Sequence, residues 1–254
     1  MTAPTPITAA LKRLPTAITL AALVSGLLSI YAAFQSLEPG ADAAALQLRA
    51  ALLIMLAMIL DGLDGNVARL LHATSELGGE LDTFVDLTAF GIAPALLLYA
   101  SLSGFPPPVR ITAGCALVAS GAYRLARFKV IDPNRGSNGF TGLPITACAA
   151  MVATAHILAL QAPDSWGMLK FDITRGPAAI VLLGMVLLLA LLQVSRLHFP
   201  KPTKNPVFFI PSIGLVALLF LGKPWPALAA GSALAMLAFG LYYVFAAPFL
   251  QQKG

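Results

Sequence analysis

The sequence predicts an all-α, polytopic transmembrane helix bundle, and two observations support this fold class. The mean hydropathy is +0.84 and only 11% of the residues are charged, which excludes an ordinary water-soluble domain. The apolar residues also fall into long runs separated by short polar segments, and about 20 apolar residues in a helix cross the hydrocarbon core of a bilayer. The chain of 254 residues has room for about six to eight such helices.

We predict eight spans, with six or seven as the alternative because the last two are short or flanked by Gly and Pro. In chain order they cover about residues 15–36, 43–71, 77–102, 107–128, 141–161, 176–198, 207–222 and 225–247. No Pro/Gly/Ser-rich linker and no internal repeat divide the chain, so we expect a single integral membrane domain over residues 1–254.

The basic residues predict the orientation of these spans. With the N-terminus in the cytoplasm, cytoplasmic segments hold 11 Lys and Arg residues and the opposite side holds 5, the bias expected of membrane proteins. Both termini and the segment from Asp61 to Asp86 then face the cytoplasm. Lys12 and Arg13 end an apolar stretch that begins at Ile7, which suits a short interfacial helix. The net charge of +5 suits an anionic lipid surface and requires no nucleic-acid partner.

Four aspartates form two pairs on either side of a predicted turn. Asp61 and Asp64 are three residues apart, and Asp82 and Asp86 are four apart, so each pair lies on one face of its helix. Residues 72–74 suit a turn, and Ser75 suits a helix start. Because the pairs lie at similar distances from the turn, we expect all four carboxylates at one depth on two antiparallel helices.

Such carboxylates are costly beside a membrane unless a cation neutralises them. Hard divalent cations accept oxygen ligands, and two of them about 3.5–4 Å apart would grip a diphosphate. A carboxylate not fully committed to metal can act as a general base. Gly65, Ala68 and Gly78 leave space for a nucleotide beside the acids, with Arg69 at its edge to bind phosphate. The alternatives are an intramembrane salt-bridge cluster or the cation path of a transporter or channel, which would need acids along the spans.

The stretch resembles the signature of the CDP-alcohol phosphatidyltransferase family, Asp-x2-Asp-Gly-x2-Ala-Arg-x8-Gly-x3-Asp-x3-Asp. The matching residues are Asp61, Asp64, Gly65, Ala68, Arg69, Gly78, Asp82 and Asp86. The resemblance implies a membrane enzyme that transfers a phosphatidyl group from a CDP-linked lipid to an alcohol and releases CMP. It also implies a six-helix catalytic core over about residues 10–200, with additional C-terminal spans over about 207–247, and a homodimer.

The resemblance also implies roles for individual residues. Asp61, Asp64, Asp82 and Asp86 would hold two divalent ions, Mg²⁺ or Mn²⁺, and Asp86 would be the catalytic base. The nucleotide pocket would be formed by Gly65, Ala68, Arg69, Gly78 and Thr19. Thr19 ends a segment from Pro15 that is similar to the family's Pro-Asn-x-x-Thr, although Thr16 replaces the Asn.

Three further stretches resemble the phosphatidylserine synthase branch of the family. They are residues 82–95, residues 123–128 and residues 140–144, and Lys129 stands where that branch commonly has Asn. This implies CDP-diacylglycerol and L-serine as substrates at a bacterial cytoplasmic membrane. Direct attack by serine and a phosphatidyl-enzyme are both open, and we favour direct attack because the pocket offers no obvious separate nucleophile. Arg124 and Arg127 could hold the serine carboxylate or a lipid phosphate, or they could simply anchor a helix end. Glycerol 3-phosphate or an inositol phosphate remains open as the acceptor.

Overall fold

Helices make up nearly all of the described structure. The computed structural model describes residues 6–130, 139–169, 172–200, 214–220 and 225–245. Its helices are α1 (Pro6–Gln35), α2 (Ala43–Leu70), α3 (Glu76–Val85), α4 (Ala93–Ser101), α5 (Pro107–Val130), α6 (Ile145–Gln161), α7 (Gly176–Val194) and α8 (Pro226–Phe245). A π-helical segment, Asp86–Ile92, joins α3 to α4, and a 3₁₀ helix covers Asp164–Leu169. The predicted all-α bundle is therefore confirmed.

Five helical segments in the described residues are long and apolar enough to cross a membrane. They are Arg13–Gln35, Ala43–Leu70, Glu76–Ser101, Gly176–Val194 and Pro226–Phe245. Helix α6 is apolar but has only 17 residues, and the 24-residue α5 carries four cations. We therefore describe the chain as an integral membrane protein, while the predicted count of eight spans is not confirmed. The predicted span 207–222 lies mostly outside the described residues.

The N-terminal stretch is helical but does not form the separate short helix that we expected. Helix α1 begins at Pro6 and runs through Pro15 to Gln35 without interruption. Residues 7–14 are mostly strong helix formers, so a helix that is already nucleated propagates through them.

The hairpin between α2 and α3 has the predicted turn. Helix α2 ends at Leu70, and His72 adopts the left-handed conformation, with φ of 49°. The Ser75 hydroxyl then accepts a hydrogen bond from the Gly78 amide at 3.1 Å, as a helix N-cap does. This short turn joins α2 to α3 and forms the tip of the hairpin.

The third predicted span is one continuous run of helix whose hydrogen bonding changes in the middle. The π-helical segment begins at Asp86, directly after α3, and ends before Ala93. Pro94 has no amide hydrogen to donate to the Phe90 carbonyl, which favours a change in hydrogen-bond register just before it. π-Helical turns are frequent at functional sites, and this one begins at an aspartate that we expected in the site.

Helices α1 and α2 form the closest helix pair and fix the base of the hairpin. The Ser25 hydroxyl donates to the Leu53 carbonyl and the Ser29 hydroxyl to the Ala50 carbonyl, each at 2.8 Å. Gly26 lets α1 approach the π-helical segment, because a Cβ there would lie 2.7 Å from the Cβ of Ala89. Small residues and interhelical hydrogen bonds are typical of close packing between membrane helices.

Two short strands, which the sequence analysis missed, pair beside the helices. Strand β1 (Gly139–Thr141) is antiparallel to β2 (His198–Pro200), with Phe140 opposite Phe199. The predicted fifth and sixth spans therefore need correction: α6 begins only at Ile145, and α7 ends at Val194. Pro144 favours a helix start directly after it because it lacks an amide hydrogen.

Candidate active site

Three carboxylates meet where α2 and α3 face each other. Oxygen atoms of Asp61, Asp64 and Asp82 lie within 4.8 Å of one another. Asp64 is buried, Asp61 is half-buried and Asp82 is exposed, so the cluster extends from the protein interior to its surface. The two halves of the hairpin thus bring together acids that are up to 21 residues apart in the sequence.

The fourth aspartate, Asp86, lines a cavity of about 230 Å³ together with Asp61 and Asp82. The cavity is lined by Asp61, Asp82, Thr83, Asp86, Arg124, Leu125, Phe128, Lys129, Phe140, Pro144 and Thr146. Three acids and two cations therefore line one compartment formed by α2, α3, the π-helical segment, α5, β1 and the start of α6.

Asp64 is held by the first helix. The Thr19 hydroxyl lies 2.5 Å from Asp64 Oδ2 and 3.0 Å from the Pro15 carbonyl oxygen. Both residues are buried, so this hydrogen bond fixes the carboxylate against α1. Thr19 was expected at a nucleotide pocket, and its observed contact is with the carboxylate.

The donor set fits a divalent cation. Asp61 Oδ1 is buried and has no hydrogen-bond partner in the described structure, a costly state for a carboxylate oxygen. Three carboxylates this close repel one another strongly when charged. A hard cation removes both costs, and oxygen-only ligands suit Mg²⁺ or Mn²⁺.

The residues expected around a nucleotide lie on the same hairpin but not on the wall of this cavity. Gly65, Ala68 and Gly78 are half-buried, and Arg69 is exposed, with its guanidinium donating to Asn66 Oδ1 at 2.8 Å. A Cβ at Gly78 would lie 3.1 Å from the Ser75 hydroxyl. Gly78 therefore has a local structural function, since it leaves room for the N-cap.

Arg124 and Arg127 lie one turn apart on α5 and have different surroundings. Arg124 is only 5% exposed and lines the cavity. Its guanidinium carbon lies 5.4 Å from the ring centre of Phe140 and 5.6 Å from that of Phe128. These aromatic walls orient the guanidinium beside the acids.

Arg127 binds the main chain instead. Its guanidinium donates to the carbonyls of Thr141, Gln193, Val194 and Ser195 at 2.8–3.2 Å. Three of these carbonyls belong to the end of α7, where they have no partner within the helix. Arg127 thus ties α5 to the end of α7 and to β1, and it does not line the cavity.

We expect Arg127→Gln to destabilise the protein. Hydrogen bonds to a charged group contribute about 1.5–3 kcal/mol each, and the loss of several should lower the Tm by roughly 5 °C or more. Thermal unfolding in detergent measures this change. Arg175→Gln is the control, because Arg175 is exposed and its ion pair with Asp172 is 3.6 Å long. Equal Tm values for the two variants would contradict the assignment.

Lys129 connects the acid-lined cavity with a second, more open one. Its ammonium lies 2.8 Å from Glu80 Oε2 and donates to the Gly79 carbonyl at 3.1 Å. The second cavity, of about 630 Å³, is lined by Thr74, Ser75, Glu76, Gly79, Glu80 and Lys129. Lys129 belongs to both linings, so it stands where the acid-lined cavity meets the surface around the hairpin turn.

Comparison with known proteins identifies the family. Residues 12–197 match the family profile described as CDP-alcohol phosphatidyltransferase. The chain belongs to this family. The match covers α2 to α7, and therefore all four aspartates, Arg124 and Arg127. Strand β2 and helix α8 follow the last matched residue.

Several relatives are named CDP-diacylglycerol–serine O-phosphatidyltransferase. The Helicobacter pylori J99 protein is 33% identical over 196 residues, which is 76% of each chain. The Methanocaldococcus jannaschii protein is 31% identical over 172 residues, 68% of this chain and 73% of that one. The Mycobacterium tuberculosis H37Rv protein is 35% identical over 160 residues, 61% of this chain and 53% of that one.

Sequence reasoning missed several residues that line the cavity in this family member. Thr83 and Thr146 carry no signal beyond their positions beside Asp82 and after Pro144. Lys129 does have a sequence signal, because it directly follows the stretch 123–128 that resembles the phosphatidylserine synthase branch. Its contact with Glu80 depends on the approach of the end of α5 to α3 in the folded chain.

Proposed function

We propose that this protein transfers the phosphatidyl group of CDP-diacylglycerol to L-serine, producing phosphatidylserine and CMP. The observation that carries the proposal is the placement of Asp61, Asp82, Asp86 and the buried Arg124 around one cavity. Membership of the family supports the CDP-linked donor, and the names of the relatives support serine as the acceptor.

Asp61, Asp64 and Asp82 would hold divalent cations, Mg²⁺ or Mn²⁺, together with Asp86 from the next turn. When bound, such ions neutralise charge on the diphosphate and stabilise the entering and leaving oxygens. Thr19 keeps Asp64 in place for this task, because its hydroxyl contacts Oδ2. The nucleotide would lie along Gly65, Ala68 and Gly78.

Asp86 acts as the general base in the proposed reaction. It accepts the proton of the serine hydroxyl while that oxygen forms a bond to the β-phosphorus of CDP-diacylglycerol. The bond between this phosphorus and the bridging oxygen breaks, and the electron pair leaves with CMP. Arg69, which is exposed on the same hairpin, would bind the departing phosphate. We favour this direct attack over a phosphatidyl-enzyme intermediate.

We assign the serine carboxylate to Arg124 rather than to Arg127. Arg124 is buried in the cavity wall, where a charge-assisted bidentate hydrogen bond is strong. Arg127 directs its donors to main-chain carbonyls. Of the two, only Arg124 therefore combines a fork-shaped donor with a position in the same cavity lining as Asp86.

The proposal places the cavity on the cytoplasmic side of a bacterial cytoplasmic membrane, with both termini on that side and the protein as a homodimer. The excess of Lys and Arg on the predicted cytoplasmic segments, 11 against 5 on the opposite side, supports this orientation. L-Serine then reaches the site from the cytoplasm, while the donor lipid stays in the inner leaflet.

Arg124→Gln is expected to raise the KM for serine at least about tenfold, because a buried charge-assisted pair is lost. The KM for CDP-diacylglycerol should change little. Steady-state CMP release at varied serine and varied donor separates the two values. Arg124→Lys keeps the charge but loses the fork, so it should recover part of the affinity. If the KM for serine is unchanged in Arg124→Gln, Arg124 does not bind the acceptor and only anchors the end of its helix.

An acceptor screen tests the function itself. The purified protein is supplied with CDP-diacylglycerol, Mn²⁺ and one radiolabelled acceptor: serine, glycerol 3-phosphate or an inositol phosphate. We expect labelled lipid and stoichiometric CMP with serine alone. Transfer to a phosphorylated acceptor would overturn the choice of serine while keeping the family chemistry. No CMP release with any acceptor would favour the transporter or channel alternative.

A further inference from the structure

Helix α8 packs tightly on the bundle although it lies beyond the residues that match the family. Its contacts are mainly with α6, where a Cβ at Gly240 would lie 2.9 Å from Met151 Cγ. Ala229, Ala230 and Ala233 are fully buried along the same helix. Small residues thus bring α8 close to α6 and fix the position of its C-terminal turn.

That turn holds strand β2 through one side chain. The Tyr243 hydroxyl donates to the Pro200 carbonyl at 2.8 Å. Its ring lies 5.7 Å from the ring of Phe199, centre to centre, and the two side chains are 6% and 0% exposed. Tyr243 therefore contacts both the backbone and the central side chain of β2.

Strand β2 in turn holds a wall of the acid-lined cavity. Phe199 is the register partner of Phe140 on β1, and directly opposite residues on paired strands have neighbouring side chains. Phe140 lines the cavity, and Arg124 lies over its ring at 5.4 Å. A continuous series of contacts thus runs from Tyr243 through Phe199 and Phe140 to Arg124.

We infer that Tyr243 is a positioning residue for the acceptor side of the site, acting through β2 and β1. Two strands of three residues each are too short to be stable alone, so their geometry depends on what packs against them. Arg127 holds β1 from α5, and Tyr243 holds β2 from α8. The inference rests on the proposed function in that Arg124 binds the acceptor.

The test compares Tyr243→Phe with Tyr242→Phe. The first substitution removes the hydroxyl that bonds to Pro200, and the second changes the neighbouring tyrosine, which is 43% exposed. We expect amide hydrogen exchange over residues 139–143 to rise about fivefold in Tyr243→Phe, the usual effect of one lost hydrogen bond. The KM for serine should rise by a similar factor, with the KM for CDP-diacylglycerol unchanged. Tyr243→Ala, which also removes the ring, should show both effects more strongly.

The two measurements keep this inference separate from the proposed function. Failure of the wild type to use serine would defeat the proposed function. The exchange experiment and the KM of whichever acceptor is used would still decide the role of Tyr243. Unchanged exchange in Tyr243→Phe, or an unchanged acceptor KM, overturns the inference. So does a fall in kcat with both KM values unchanged, because a merely structural role would produce that pattern.

Discussion

Asp86→Asn is expected to abolish phosphatidyl transfer while leaving CDP-diacylglycerol bound. The amide keeps the size of the side chain but cannot accept the serine proton, and loss of a general base costs about 10²–10⁴-fold in rate. Labelled phosphatidylserine formation measures the loss, and equilibrium binding of labelled CDP-diacylglycerol with Mn²⁺ measures what is retained.

Asp42→Asn is the matched control for this change. Asp42 caps α2 by accepting a hydrogen bond from the Ala45 amide, far from the cavity. Asparagine is an equally good N-cap, so wild-type transfer is expected. Activity of Asp86→Asn above a few per cent of wild type would defeat the assignment of the base.

Asp61→Asn is expected to reduce transfer below about 1% of wild type, because a metal ligand stabilises the transition state by several kcal/mol. A second readout does not depend on activity. Mn²⁺ should raise the Tm of the wild type through preferential binding to the folded state, and it should raise that of Asp61→Asn much less. Thermal unfolding with and without Mn²⁺ measures both.

The control for this second prediction is Glu76→Gln. Glu76 is an exposed acid in the first turn of α3, and it lies outside the cluster of Asp61, Asp64 and Asp82. The Glu76→Gln variant should retain the full Mn²⁺-dependent rise in Tm. If Asp61→Asn and Glu76→Gln respond equally to Mn²⁺, the three-carboxylate cluster is not the metal site.

Local sequence was sufficient to predict the acidic hairpin. Asp61 and Asp64 precede the turn about as far as Asp82 and Asp86 follow it, and an α-helix has a fixed rise and period. Ser75 also marked the start of α3 correctly, since capping depends on a few neighbouring residues. The π-helical segment was not predicted, because Pro94 favours a change in hydrogen-bond register but does not by itself specify its extent over Asp86–Ile92. That extent also depends on how the helix from Glu76 to Ser101 packs.

The two arginines of α5 show where local information ends. Arg124 and Arg127 are three residues apart and therefore share one helical face, and no feature of the sequence distinguishes their roles. The structure separates them because carbonyls at the end of α7, about 66 residues further along, meet one guanidinium. The other lies against Phe140 and Phe128 instead.

The sequence by itself determined that this is a polytopic helical membrane protein with four carboxylates on one hairpin. Those features follow from hydropathy over runs of about 20 residues and from helical periodicity over one or two turns, and both are local in the sequence. Only the tertiary structure decided which residues complete the cavity. Strand β1 pairs with β2, and the Pro200 carbonyl of β2 accepts a hydrogen bond from Tyr243, which is about 100 residues from β1 in the chain. Such contacts depend on the packing of several helices at once, and no local pattern of residues encodes them.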